Sequence, residues 1–200
     1  MKEIFGDFVE IENVFEYLVI SFDPTKLTMQ ERWRGNSISA DFLAAYWGTF
    51  GPSYNPELSH TRMKDTISWT ANELIENAVK FSDLESFYPI KIFLNLSSDT
   101  LDFYVENSIS VSNSQRLKER IEEMQNADPS DLYFQQIEKN AENEDGESRL
   151  GFLIMKLDLG ADIAWKIESK KSPSKGGEMV NTITTMVRLP ITKGHADSGR

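Results

Sequence analysis

Cysteine is absent from the 200 residues, which removes disulfides, thiolate metal ligands and a cysteine nucleophile from consideration. The two histidines, His60 and His195, are too few to form a metal cluster by themselves. Positive charge is scarce: 21 Lys and Arg stand against 32 Asp and Glu, a net charge of −11, and such a balance repels phosphate backbones and anionic membrane surfaces. Nucleic acid and membrane are therefore not expected partners. No apolar run is long enough for a membrane span, and the residues after Met1 do not have the form of a signal peptide. The expected location is the cytoplasm.

What remains is the composition of an ordinary globular domain, 40% apolar and 26% charged, long enough to bury one core. The reading is a single domain over 1–190, with 1–60 as an N-terminal extension and a loose polar tail over 191–200. Phe5 to Phe22 holds strand-like stretches that extend a sheet at its edge, closed by the turn signal Asp23-Pro24. Ser39 is an N-cap candidate for a helix carrying Phe42, Leu43, Tyr46 and Trp47, stopped at Gly51-Pro52. After a loop over 51–60, a long helix is expected from about Arg62 to Phe81. Pro89 precedes a strand, Ile90 to Leu96, which forms a hairpin with Leu101 to Val105 across Ser97 to Thr100. Ser114 to Ala127 and Asp131 to Asn143 read as two charged helices divided by Asp128-Pro129-Ser130. Gly160 ends a further helix as a C-cap, and Asp162 to Ile167 returns as a strand. The sum is an α/β (α+β) two-layer sandwich with a mixed, mostly antiparallel sheet and helices on one face.

The run Trp69-Thr-Ala-Asn-Glu-Leu-Ile-Glu-Asn-Ala-Val-Lys-Phe-Ser82 carries the chemistry. On a helix Glu73 and Asn77 are one turn apart on one face, so a carboxylate and an amide converge on one ligand, such as a water and a magnesium ion. Leu74, Ala78 and Phe81, widened by Ile75 and Val79, give the stripe that docks the helix on a sheet. By itself a Glu and Asn at this spacing are more often a solvated pair.

The surrounding sequence alters that balance. The run resembles the N-box of the GHKL superfamily, which includes gyrase and the histidine kinases. Leu101-Asp-Phe-Tyr-Val-Glu-Asn107 stands where that family's first glycine box begins, and Arg149-Leu-Gly-Phe-Leu-Ile-Met-Lys156 is similar to its second. Gly176 to Pro190 resembles the last strand of a histidine-kinase ATP-binding domain. The resemblance implies a Bergerat-type fold, ATP with magnesium (Mg2+) as cofactor, and residues 114–148 as a lid-like helical segment with Glu144 to Ser148 as its joint. It makes Glu73 the catalytic residue, Asn77 the magnesium ligand, Glu106 or Asn107 the reader of adenine, and Gly151 the place where phosphates approach. Asn72, Lys80 and Arg149 join the cofactor-binding set. The chain departs from the family at Ser108, in the place of a glycine, and at Arg149, where the first glycine of the second box is expected; an arginine there either binds a phosphate or blocks the site.

Arg32 to Phe42, read with Ala71 to Phe81, is similar to stand-alone, cyanobacterial-type GHKL regulators related to SiaB kinases. That implies an ATP-dependent protein kinase or switch acting on a small signalling partner, SiaC-like or of response-regulator type, with homodimerisation left open. The alternative is a light or redox sensor binding FAD in the same fold, with Trp69, Tyr104, Phe152 and Met155 around the flavin ring and Trp69 or Tyr104 as electron donor. Leu58-Ser-His-Thr-Arg62 resembles a phosphoacceptor box, but His60 approaches the same helix as Glu73 instead of a separate hairpin, so that role is set aside.

Overall fold

The computed structural model describes residues 2–11, 17–26, 35, 37–47, 60–96, 99–142, 150–173 and 176–190. Arg149, the joint Glu144 to Ser148, the Arg32 run apart from Gly35 and 37–42, the Gly51-Pro52 stop and loop, and the tail with His195 lie outside them.

Among the described residues six strands form one sheet: β1 (Lys2–Phe5), β2 (Tyr17–Phe22), β3 (Ile90–Leu96), β4 (Thr100–Ser108), β5 (Asp162–Lys171) and β6 (Met179–Pro190), in the order β1-β5-β6-β4-β3-β2. Every pair is antiparallel, including the expected hairpin β3–β4. Within the stretch Phe5 to Phe22 read as strand-like, Tyr17–Phe22 does extend the sheet at one edge as β2, whereas the other edge is formed by Lys2–Phe5, ahead of that stretch. Strand alternation sends Leu101, Phe103, Val105 and Asn107 of β4 to one face, and Asp102, Tyr104, Glu106 and Ser108 to the other.

The first face carries the helices: α1 (37–47), α2 (His60–Phe81), α3 (Val111–Asn126), α4 (Pro129–Glu142) and α5 (Gly151–Asp158). Leu43 and Trp47 of α1, Ile67, Leu74 and Ile75 of α2, Ile121 of α3, Leu132 of α4 and Leu153 of α5 join Ile92, Phe103 and Val187 in one buried core. α2 packs over the central strands β4 and β3. Residues 37 and 38 are already helical, so Ser39 lies inside α1 and does not cap it. Ser110 caps α3, accepting from the Asn113 N–H at 3.2 Å. Asp128 accepts from the N–H groups of Ser130 and Asp131 at 2.8 and 3.3 Å, with Pro129 opening α4, a position that has no use for an N–H.

The opposite face is crossed by residues 6–11, the start of the link between the two edge strands. Tyr104 donates to the Val9 carbonyl at 3.0 Å, Phe8 meets the Tyr104 ring edge-on at 5.9 Å, and Glu10 pairs with Lys2 and Lys166, both at 2.7 Å. Beside this strap the sheet carries ion pairs, with Arg188 forked onto Asp102 at 2.8 and 3.0 Å.

Candidate functional site

α2 carries two different polar edges beside its apolar stripe. Ser68 and Asn72 face α1: Ser68 donates to Asp41 at 2.9 Å. Thr70, Glu73 and Asn77, spaced by three and four, form the other edge. There Glu73 meets α5. A Cβ built on Gly151 would run into the Glu73 carboxylate, with Cδ at 3.3 Å and Cγ at 3.7 Å, so the carboxylate holds this position only while residue 151 lacks a side chain. α5 is thus brought onto α2, with the Glu73 carboxylate against the first residue of α5.

This edge is polar, with Glu73 and Asn77 partly open to solvent and Thr70 buried. Among the described residues neither Glu73 nor Asn77 has a hydrogen-bond partner, and Thr70 Oγ1, fully buried, has none either. Burial pushes the Glu73 carboxyl above its usual range, and the charge of Glu76 adds to the shift. Thr70 was not among the residues singled out from sequence, although its spacing of three from Glu73 placed it on the same stripe.

The other candidates are distributed as follows. Asn107 is buried on the helix-facing side of β4 and donates its amide to the Ser108 carbonyl at 2.8 Å, which leaves its amide oxygen as an acceptor. Glu106 points to the opposite face and is committed there. Lys170 donates to it, as do Tyr88 at 2.7 Å and Lys91 at 3.0 Å. Burial alone would raise its pKa, but these donors hold it down at about 2. Strand alternation therefore separates Glu106 from the Glu73 edge and leaves Asn107 on the helix-facing side. Ser108 is fully buried with its hydroxyl bonded to Ser86 at 2.7 Å and to the Asp83 carbonyl at 3.1 Å.

Tyr104 also lies on the far face, under the strap, where burial pushes its phenol up to about 12. Met155 is fully buried in the core, and Phe152 packs edge-on against Trp165 at 5.8 Å. Trp69 and Asn72 line a groove of about 440 Å³ between α1 and α2, where Asn72 donates to Glu76 at 2.7 Å. Lys80 is exposed over the Phe81 ring at 5.2 Å. A second open cavity of about 370 Å³, lined by Asp7, Gln125, Lys156 and Asp162 among others, sits beside β5, away from Glu73. The structure thus brings Glu73, Asn77, Thr70 and Gly151 together, and it places Tyr104 and Glu106 on the other side of the sheet.

The α3–α4 hairpin, read as a lid, is docked. Ile121, Met124 and Leu132 are buried, Lys118 of α3 pairs with Glu3 of β1 at 2.7 Å, and Arg120 donates to Gln136 of α4 at 3.0 Å. α4 in turn packs on α5. Among the described residues no three acidic or histidine side chains cluster as a metal site, and no helix is long and apolar enough to cross a membrane.

No known protein family has a model that matches the chain, and no curated protein matches it.

Proposed function

We propose that the junction of α2 and α5 binds ATP with magnesium, and that the protein is a signalling regulator that uses this nucleotide to switch a small partner protein. The observation that carries the reading is the stripe Thr70, Glu73 and Asn77, polar and without partners among the described residues, with the Glu73 carboxylate set directly against Gly151 at the start of α5. An ordinary packing edge between two helices would be apolar or internally paired.

The residues fit the nucleotide group by group. Asn77 offers a neutral oxygen to a hard cation, which magnesium accepts together with phosphate oxygens and water. Glu73, its pKa raised by burial, is a better proton acceptor than a solvated carboxylate and orients the group that attacks the terminal phosphate. The Asn107 amide oxygen suits the amino group of adenine, a donor. Gly151 opens α5, and the free N–H groups of a helix N-terminus favour phosphate. Magnesium supplies charge neutralisation on the phosphates when bound.

FAD is the less supported occupant, because Tyr104, Met155 and Trp69 do not converge: they lie on the far face, in the core and beside α1. Hydrogen exchange tests the switch. Magnesium-ATP is expected to raise protection in residues 114–148, which enter from β4 and leave into α5. Unchanged protection at saturating nucleotide, or a purified protein with a flavin band in its visible spectrum, would overturn the proposal.

A further inference from the structure

Asp65, Trp69, Asn72 and Glu76 follow one another on α2 at spacings of four, three and four, so they share one face of the helix. That face is turned away from the core residues Ile67, Ala71, Leu74 and Ala78. An outward helix face is ordinarily convex and solvated, but here Ser37 and Ala40 of α1 stand beside it and leave the groove of about 440 Å³. Among the described residues its lining holds one aromatic ring, Trp69, which is partly buried against the core.

The groove carries charge of one sign. Asp65 and Glu76 line it, Asp41 is bonded to Ser68 of its wall at 2.9 Å, and no lysine or arginine among the described residues lines it. Elsewhere the buried or partly buried carboxylates Asp102, Glu106 and Glu168 are each met by a lysine or arginine, whereas among the described residues Glu76 is met by Asn72, at 2.7 Å. Asp65 and Glu76 are about 16 Å apart along the helix axis, so one metal ion cannot touch both, and among the described residues no three ligands cluster. The same span matches about five residues of extended chain. Asn72 spends an amide N–H on Glu76 and keeps its oxygen to accept a backbone N–H.

We infer that this groove receives an extended basic segment of the partner protein, with an arginine stacked on Trp69 and forked onto Asp65 and a second cationic side chain on Glu76. Calling the occupant a partner rests on the proposed switch; the groove itself does not depend on nucleotide. Charge complementarity selects the occupant. A guanidinium is planar and weakly hydrated, and it pairs with an aromatic face and a carboxylate at once; a ring and a carboxylate one turn apart offer both. The net charge of −11 draws a basic segment toward the protein, and the groove gives it a place. Occupancy is also felt on the other edge of α2. Burial raises the Glu73 carboxyl and the charge of Glu76 adds to the shift, so a cation on Glu76 offsets that second cause and links docking to the edge that faces α5.

Calorimetric titration of the full chain, at physiological ionic strength and without ATP, with a short synthetic peptide bearing arginine at both ends tests the inference. The peptide is expected to bind with sub-millimolar affinity, and its citrulline counterpart, alike in shape but uncharged, at least tenfold more weakly; this comparison needs no variant. Asp65→Asn with Glu76→Gln should weaken the arginine peptide at least tenfold, and Trp69→Leu should do the same, both with unchanged circular dichroism. Asp131→Asn with Glu138→Gln, which removes two exposed charges from α4, should leave the affinity as it is. Followed by NMR, the Glu73 carboxyl should titrate lower with the peptide bound. No binding at millimolar peptide, equal affinity for the citrulline form, equal losses in the two charge pairs, full affinity in Trp69→Leu, or a Glu73 titration that the peptide does not move would overturn it. A chain that binds the peptide but no ATP keeps the groove and loses the nucleotide site, and one that binds ATP but no peptide loses the groove alone.

Discussion

Gly151→Ala separates the site from the scaffold. The added Cβ meets the Glu73 side chain first: all three of its nearest atoms are the carboxylate oxygen, Cδ and Cγ of that residue. That is the far end of a flexible chain, and it can swing away. Gly151 is not among the glycines with positive φ, so alanine meets no backbone strain. A helical glycine is about 0.5–1 kcal/mol worse than alanine, and the first turn returns less than that full difference. Moving Glu73 outward also relieves the burial that raises its pKa. The net effect is between no change and a gain of about 1 kcal/mol, a melting temperature higher by at most about 4 °C for a domain of this size. The site should respond in the opposite direction. The Glu73 carboxyl, followed by NMR titration, should move down toward its usual range. Magnesium-ATP should bind at least tenfold more weakly, because both the carboxylate and the approach to α5 are disturbed. Thermal unfolding and calorimetry read the two arms. A loss of more than about 1 kcal/mol, or a Glu73 titration that does not move, would refute the reasoning by showing that Glu73 is a packed wall and not a movable polar group.

Other consequences can be checked separately. The Glu106 pKa falls from 4.5 to about 2 on folding, a shift worth about 3 kcal/mol. A depressed acid contributes stability that is present above its unfolded pKa, so this contribution is lost as pH falls from about 4.5 to 2. Glu106→Gln should flatten the acid limb of urea-unfolding free energy in that window, and an unchanged limb would remove the cluster as its cause. Tyr104→Phe removes the bond to the Val9 carbonyl while keeping the ring, and should cost about 1 kcal/mol and speed hydrogen exchange in residues 6–11. No change in either would mean that Glu10, Phe8 and the Val9 N–H bond to the Met186 sulfur at 3.4 Å hold the strap without it.

The fold was largely legible because its central elements have clear periods. The stripe Leu74, Ala78 and Phe81, the alternation in Leu101, Phe103 and Val105, and Gly160 after α5 each mark an element that the structure contains. Edge assignment was not legible: β1 and β2 are neighbours in sequence, and their places at opposite ends depend on pairing with β5 and β3, more than sixty residues away. α1 begins before Ser39 because tertiary packing of Leu43 and Trp47 sets its position more firmly than one capping residue does. At the site, the Glu73 and Asn77 spacing could be read, but the approach of Gly151 to Glu73 is a contact between distant segments. The choice between Glu106 and Asn107 was present in the sequence as strand parity. Val105 faces the core, so Asn107 shares its side while Glu106 and Tyr104 face away.

The central claim is tested most directly by calorimetric titration of ATP, with and without magnesium, into the wild type and Asn77→Ala. Asn77 is partly exposed on α2 and has no described partner, so its truncation should leave the fold and melting temperature nearly unchanged. The account predicts that the wild type binds ATP with magnesium, and that Asn77→Ala loses the magnesium-dependent part of the affinity, at least tenfold. No binding by the wild type at millimolar ATP, or equal magnesium-dependent affinity in the two proteins, would contradict it.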